Sequence, residues 1–272
     1  IHYPRQGVVQ RLSMHRIVQS CSKAAVLVTA LVLADCATPP PANDPDAVAE
    51  FKQTNDPIEP GNRVVYAIND GLDRAVLRPV AVAYNYALAP GVRSHIHNLL
   101  ENLGNPVTLV NDVLQAKPKR AGDTLMRLML NTTIGVGGFF DVATGWGWPA
   151  HDADLGMTFA VWGAPDGPYL MLPIFGPSNP RDTIGMVGDM AATPTGYLPH
   201  GLENTVFSRT KTVVGVIDAR AGVVDDLDKV KAQALDPYAT IRSLWRQHRQ
   251  SQIDEAKKPE TLTPPAAWGG SK

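Results

Sequence analysis

Apolar residues in this chain recur at intervals of three and four, and glycine or proline cuts nearly every such run short. Leu72, Val76, Val80, Ala83 and Ala87 keep helical spacing, with Arg74 and Arg78 on other faces and Pro79 placed to bend or start a helix. Val92, Ile96, Leu99, Leu100 and Leu103 form a second stripe. Val107, Val110, Val113 and Leu114 follow Pro106, and Leu125, Leu128, Met129 and Thr132 continue the theme. Beyond a Gly/Pro-rich middle come Val206, Thr210, Val213, Val214 and Ile217. Ile241, Leu244, Trp245 and His248 lie behind Asp236-Pro237, an N-cap with Pro at the first helical position. Strict alternation is rare, so the class is all-α. With 23 glycines and 23 prolines in 272 residues, the helices are short and broken, not those of a regular bundle.

Composition removes several functions. The net charge of -1 lacks the basic footprint that releases counterions from phosphates, which excludes nucleic acid as a partner. No run of eighteen apolar residues occurs, so no ordinary membrane-spanning helix is expected. Cys21 and Cys36 are too few for a disulfide framework or a multi-cysteine zinc site, and His95 and His97 lack a third ligand, so no metal is expected. There is no Gly-x4-Gly-Lys phosphate loop, and Ser178 stands in Gly-Pro-Ser-Asn-Pro without the Gly-x-Ser-x-Gly elbow. The chain is read as a non-enzyme without a cofactor.

The first 35 residues read as an address. Residues 1–13 lack a methionine and are set aside as an upstream segment; Met14 opens a signal peptide over 14–35, with His15, Arg16 and Lys23 before the uncharged run Ala24 to Ala34. Leu33-Ala34-Asp35-Cys36 resembles a lipobox with Asp35 where a small residue is usual, making Cys36 the candidate lipidation site. A cleaved soluble periplasmic chain, or a retained N-terminal anchor, are the other readings. Ala37 after the cysteine implies sorting to the outer membrane. Cleavage before Cys36 leaves 21 basic against 25 acidic residues, so membrane affinity would come from acyl chains and apolar side chains rather than from a polybasic patch. Residues 36–50, with four prolines in Ala37 to Pro45, form an extended spacer. The domain is expected over 51–250, and the polar, Pro- and Gly-rich 251–272 as a disordered tail.

Two internal stretches stand out. Ile134 to Trp148 holds Phe139, Phe140, Trp146 and Trp148 among glycines, which fits either a buried core loop or a belt at head-group depth. Thr183 to Ala192 is apolar except for Asp189, too short to span a bilayer. With the Val206 to Ile217 helix it suggests a helical hairpin whose loop contains Thr193, Pro194, Gly196, Tyr197, Pro199 and Gly201.

Several motifs in combination carry a resemblance: Asn55-Asp56-Pro57-Ile58-Glu59-Pro60, Arg78-Pro79-Val80-Ala81, Leu114-Gln115-Ala116-Lys117, Asn131-Thr132-Thr133-Ile134-Gly135, Gly167-Pro168-Tyr169-Leu170-Met171-Leu172-Pro173, Arg181-Asp182 and Asp236-Pro237-Tyr238. Together they resemble the MlaA/VacJ outer-membrane lipoproteins across nearly the whole domain. Gly61 replaces the family's usual Phe, and Ala153-Asp154-Leu155-Gly156 a more acidic-aromatic version. The resemblance implies a ring-like (donut) body of broken amphipathic helices seated in the periplasmic leaflet of the outer membrane. It also implies removal of mislocalised phospholipids from the outer leaflet, association with a trimeric porin and transfer to a periplasmic lipid-carrier protein. The competing class is a structural or adhesive envelope lipoprotein.

A conduit needs a wet path for a head group whose charge is costly in hydrocarbon, with apolar helix faces outward and polar faces inward. Asn55, Asp56, Asn62, Arg63, Asn131 and Thr132 are candidates to line it; turn hydrogen bonds beside Pro57 and Pro60 compete for the first four, and capping of a helix end for Asn131 and Thr132. Arg181-Asp182 fits an internal ion pair or a helix cap better than a lipid contact. Asp189 is singled out for the path, because a carboxylate facing lipid is expensive and should face water or a partner.

Overall fold

The computed structural model describes Val48, residues 55–193 and residues 202–260, with the backbone alone at 202–204. Cys36, the signal segment, the spacer apart from Val48, and Pro194, Gly196, Tyr197, Pro199 and Gly201 lie outside the described residues. The architecture below belongs to the unit that begins at Ile58.

Local chemistry sets the helix starts. Asp141, Asp154, Asn179 and Asp236 each accept a backbone N–H three residues on, opening α5 (Val142–Gly145), α6 (Leu155–Val161), α7 (Pro180–Ala192) and α10 (Pro237–Lys257). Proline in the first turn opens α1 (Glu59–Leu72), α2 (Arg78–Ala87), α3 (Pro90–Leu114) and α4 (Pro118–Thr133). α8 (Leu202–Gly222) and α9 (Val224–Gln233) complete the helices. Among the described residues the one sheet is a hairpin of β1 (Leu170–Leu172) and β2 (Gly176–Ser178), antiparallel, with Leu170 opposite Ser178 and Leu172 opposite Gly176. The all-α class holds with that small exception.

Between α1 and α2, Asp73–Leu77 forms a π turn just ahead of Pro79. Val64, Ile68, Leu72, Val76 and Val80 are spaced by four, which on a pure α-helix drifts by about 40° per step. The π turn takes up an extra residue and resets the phase. The result is a continuous apolar stripe, and it points outward: these five side chains are 38% to 61% exposed.

The interior is built the other way round. Asn102, Asn105, Asn111 and Asp112 are the buried residues of α3, while Val110, Val113 and Leu114 are exposed. Among the described residues, thirteen apolar side chains are buried, six of them alanine, against seventeen polar or charged ones, and thirty-one large apolar side chains are exposed. Small apolar clusters remain where helices cross: Met157, Ala160, Ile253 and Ala256; Ala81, Ala221 and Val224; Tyr169, Met171 and Tyr238. Between them run polar contacts. Asp112, fully buried, accepts from Thr124 Oγ1 at 2.6 Å and lies 3.0 Å from His151 Nε2, tying α3 to α4 and the segment before α6.

Two expectations change. α3 continues through Pro106 instead of restarting after it, because its long packing against α4 outweighs one missing N–H. The chain beyond Gln250 is not a disordered tail as far as Glu260. α10 runs to Lys257 with Ile253 and Ala256 buried against Met157 and Ala160, and Glu260 accepts from the Lys119 and Arg120 amides at 3.0 and 2.9 Å, capping α4. Polar composition hid a helix that has one buried edge. α7 and α8 flank the expected hairpin loop, which lies outside the described residues; α7 packs mainly on α6, and α8 on α2 and α3.

Candidate functional site

Most of the predicted site residues hold the frame. Asn62 Nδ2 donates to the Tyr169 carbonyl at 3.0 Å and its Oδ1 accepts from Met171 N at 2.9 Å, fastening β1 to α1. Asn69, two turns on, fastens the hairpin tip in the same way through Leu172 O and Ile174 N. Arg63 pairs with Glu59 and Asp236 and lies over the Tyr238 ring, 4.5 Å from its centre. Asn131 Nδ2 donates to Asp141 and its Oδ1 accepts from Ala143 N, both at 3.0 Å, while Thr132 Oγ1 accepts from Asn102 at 3.0 Å. Asn55 is half-buried and Asp56 buried, ahead of the unit. Arg181 and Asp182 form the expected internal ion pair at 2.9 Å.

Asp189 and Thr193 are different, because they line a cavity. One void of about 400 Å³ is walled by Val107 of α3, Asp154, Met186, Asp189, Met190, Thr193, Trp245 and Arg249, with Pro177, Ser178, Asp182 and Gln252. A second, of about 600 Å³, lies against one face of α8, formed by Ser208, Lys211, Thr212, Gly215, Val216 and Ala219, with Leu100, Met190 and Thr193 opposite. Met190 and Thr193, at the end of α7, belong to both walls.

The charges on the two walls are handled differently. Asp189 Oδ1 accepts from Asn111 Nδ2 and Oδ2 from Leu155 N, both at 2.9 Å, so it caps α6 from across the fold and pins α3 to α7. Burial pushes its carboxyl pKa up. Arg249 grips Asp154 with two bonds of 2.7 and 2.8 Å and reaches Asp182 at 2.8 Å; burial acts against its charge, but the two carboxylates outweigh this and hold it protonated. Asp182 is likewise pushed up by burial and pulled further down by Arg249 and Arg181. Among the described residues of the larger cavity's wall Lys211 is the one that carries a charge, and burial pulls its ammonium pKa down. Lys211 and Arg249 were missed in the sequence, although Ser208, Thr212, Gly215 and Ala219, small or polar at spacings of four, three and four, trace the cavity face of α8.

The exterior near these voids is apolar. Ile184 and Val187 of α7 and Val206 and Val213 of α8 are exposed. The Gly-rich stretch after α4 is divided: Trp148 and Ala143 are buried, while Phe139, Phe140 and Trp146 stand out. Left-handed backbone at Val136, Gly137 and Gly138 turns this loop, and a Cβ at Gly138 would lie 2.5 Å from that of Asn102. Among the described residues no group of His, Cys, Asp and Glu could hold a metal, and no helix is long and apolar enough to cross a membrane. His95 and His97 face the Phe139 carbonyl and Asp218, each at 2.9 Å.

Comparison with known proteins agrees with this architecture. A protein of Rickettsia felis is 35% identical over 199 residues, covering 73% of this chain and 78% of that one. The intermembrane phospholipid transport system lipoprotein MlaA of Haemophilus influenzae is 31% identical over 238 residues, covering 86% of this chain and 91% of its own length. That of Escherichia coli is 33% identical over 198 residues, 71% and 76% of the two chains. A solved structure described by the words "Structural basis for maintenance of bacterial outer membrane lipid asymmetry" matches with a TM-score of 0.64 and 32% identity, over 73% of this chain and 98% of that one. The family described as "MlaA lipoprotein" matches residues 54–252, and this chain belongs to it.

Proposed function

We propose that this protein takes mislocalised phospholipid out of the outer leaflet of a bacterial outer membrane and passes it, through a polar path in its helical body, to a periplasmic lipid carrier. The observation that carries this reading is the inverted burial: polar groups inside, large apolar side chains outside. A water-soluble tether has no use for an exposed stripe from Val64 to Val80 or for projecting Phe139, Phe140 and Trp146, whereas a body seated among acyl chains has both. The two cavities, which share Met190 and Thr193 in their walls, supply polar groups for a head group and apolar ones for the tails. The names of the Haemophilus and Escherichia relatives support phospholipid as the cargo.

In this reading the body sits in the periplasmic leaflet, tethered by acyl chains on Cys36, beside a trimeric porin that gives access from the outer leaflet. A ring-like arrangement of helices would surround the path. Transport is passive and involves no covalent chemistry, its direction set by the lipid being out of place and by the carrier's affinity.

The test is a plug. A Cβ at Gly215 would have Leu100 Cδ2 as its nearest neighbour at 3.9 Å, so a side chain there enters the larger cavity and leaves the backbone undisturbed. In a strain carrying Gly215→Phe as its sole copy, surface labelling of phosphatidylethanolamine should rise to the level of the deletion strain, with detergent sensitivity. Unchanged lipid asymmetry in both strains would leave a structural lipoprotein.

A further inference from the structure

His97 stands between two carboxylates. From α3 its Nδ1 lies 2.9 Å from Oδ2 of Asp218 on α8, and its Nε2 lies 3.4 Å from Oε1 of Glu101, one turn further along α3. A neutral imidazole has a single N–H, so one of its nitrogens would turn a lone pair toward a carboxylate; the imidazolium has two N–H groups and can donate to both. Asp218 is the joint. Its side chain is largely buried, and its other oxygen, Oδ1, accepts from the Tyr84 hydroxyl of α2 at 3.0 Å, so α2 and α3 both hold α8 through one carboxylate. Cations nearby are Arg93, which donates to Asn85 from one turn earlier on α3, and Arg127 of α4, 3.8 Å from Oε2 of Glu101.

The pair stands at one end of the larger cavity. Leu100, one turn after His97, and Gly215, one turn before Asp218, both line that cavity, and a Cβ at Gly215 would lie 3.9 Å from Leu100 Cδ2. Beyond Asp218 the end of α8 is gripped by groups that do not titrate near neutral pH: Arg220 holds Asp73 at 2.7 Å, and Asn85 donates to the Ala221 carbonyl at 2.9 Å. Toward the cavity, Lys211 reaches the Leu103 carbonyl only at 3.4 Å. We propose that His97 is a proton-operated clasp: protonated, it fastens the cavity-lining turns of α8 to α3 through Asp218, and on losing its proton it loosens them, so that the larger cavity opens more readily in alkaline than in acidic surroundings. The hydrogen bond to Asp218 raises the His97 pKa against the opposing effect of burial, and the charge of Glu101 adds to the rise. The clasp is therefore at full strength below the unfolded value of 6.5 and is lost as pH rises through the folded pKa. It rests on the conduit reading for what passes through the cavity, and adds a control on when the cavity opens.

The experiment is hydrogen exchange of the full chain in a non-ionic detergent, read by mass spectrometry at about pH 5.5 and about pH 9 and corrected for the intrinsic exchange rate at each. Protection of residues 205–222 in the wild type should be roughly threefold higher at the lower pH, the scale of a half-exposed ion pair. His97→Gln should give low protection at both pH values. His97→Lys, whose cation persists at both, should give high protection at both, a pattern that loss of packing alone would not produce. Glu101→Gln keeps the bond to Asp218 and should shrink the pH dependence without abolishing it. Should the glutamine variant at His97 fold poorly, Asp218→Asn removes the clasp from its other side and should flatten the profile equally. A wild type whose α8 protection does not change with pH overturns the proposal, and so does a His97→Gln protein that keeps the wild-type dependence. The conduit reading fails separately: if Gly215→Phe leaves lipid asymmetry intact while α8 follows pH through His97, the clasp stands and the transport role falls.

Discussion

Gly185 of α7 rests directly on Gly156 of α6: a Cβ on Gly185 would lie 2.7 Å from the Gly156 Cα and closer still to its amide nitrogen. Neither glycine has a left-handed backbone, so the requirement is space and not conformation. That contact brings Leu155 N within reach of Asp189 and sets Asp154 and Asp182 on either side of Arg249.

Gly185→Ala should therefore destabilise the fold, although alanine is the better helix former by about 1 kcal/mol. Forcing two backbones apart costs about 1–3 kcal/mol as overpacking, so the net sign is a loss. Thermal unfolding of the full chain in detergent should show a lower melting temperature, and an unchanged one would mean that α6 and α7 separate freely.

The charges beside that crossing give a pH signature. The folded pKa of Asp182 is lowered, so its contribution is present above the unfolded value of 3.8 and is lost as pH falls through the folded pKa. Arg249→Met leaves Asp154 and Asp182 without this partner and should cost about 3–5 kcal/mol at neutral pH. The gap to wild type should narrow as pH falls below the ordinary carboxyl range and the Asp182 carboxyl takes up its proton. Asp189 has the opposite sign: its folded pKa is raised, so its contribution is full below 3.8 and lost as pH rises through the folded pKa. Asp189→Asn, which also leaves one of two donors without an acceptor, should be more damaging relative to wild type at pH 3.5 than at pH 7. Denaturant titrations at several pH values would reveal both trends, and parallel profiles for the two variants would contradict the assignments.

Where local chemistry decides, the sequence was readable. Asp236-Pro237 announces α10, and the stripes mark most of the other helices. Where tertiary contacts decide, it was not. Pro106 looks like a break until α4 lies alongside, and Ser251 to Lys257 looks like a tail until Ile253 finds Met157. Asn62 and Asn131 have the composition of a polar channel, yet each spends its amide on backbone or side-chain partners within the frame. The role of Asp189 as a remote cap for α6 has no local signature, because its two donors come from residues 78 and 34 positions away. Apolar periodicity locates helix faces without saying which side is wet. The structure turns the apolar faces out.

That orientation is testable at the aromatic loop. Trp146 and Phe140 are exposed while Trp148, two residues on, is buried, so only one of this neighbouring pair of indoles can meet acyl chains. In vesicles of phosphatidylethanolamine and phosphatidylglycerol with brominated acyl chains, tryptophan emission should be quenched. Trp146→Phe should remove a larger share of the quenching than Trp148→Phe. Equal shares, or no quenching in the wild type, would place the loop in water.

Gly215 separates packing from obstruction. It is the glycine of α8's cavity face, where an added Cβ stays 3.9 Å from Leu100 Cδ2, so Gly215→Ala should raise stability by about 0.5–1 kcal/mol through helix propensity alone. One methyl group occupies little of a void of about 600 Å³, and lipid asymmetry should survive it. Gly215→Leu and Gly215→Phe fill progressively more of the same space from the same backbone position. If the cavity is the path, outer-leaflet phospholipid should increase with side-chain volume across the series while the melting temperature stays at or above that of the wild type. The opposite pairing, in which transport falls only as stability falls, would trace the defect to folding and remove the larger cavity from the route.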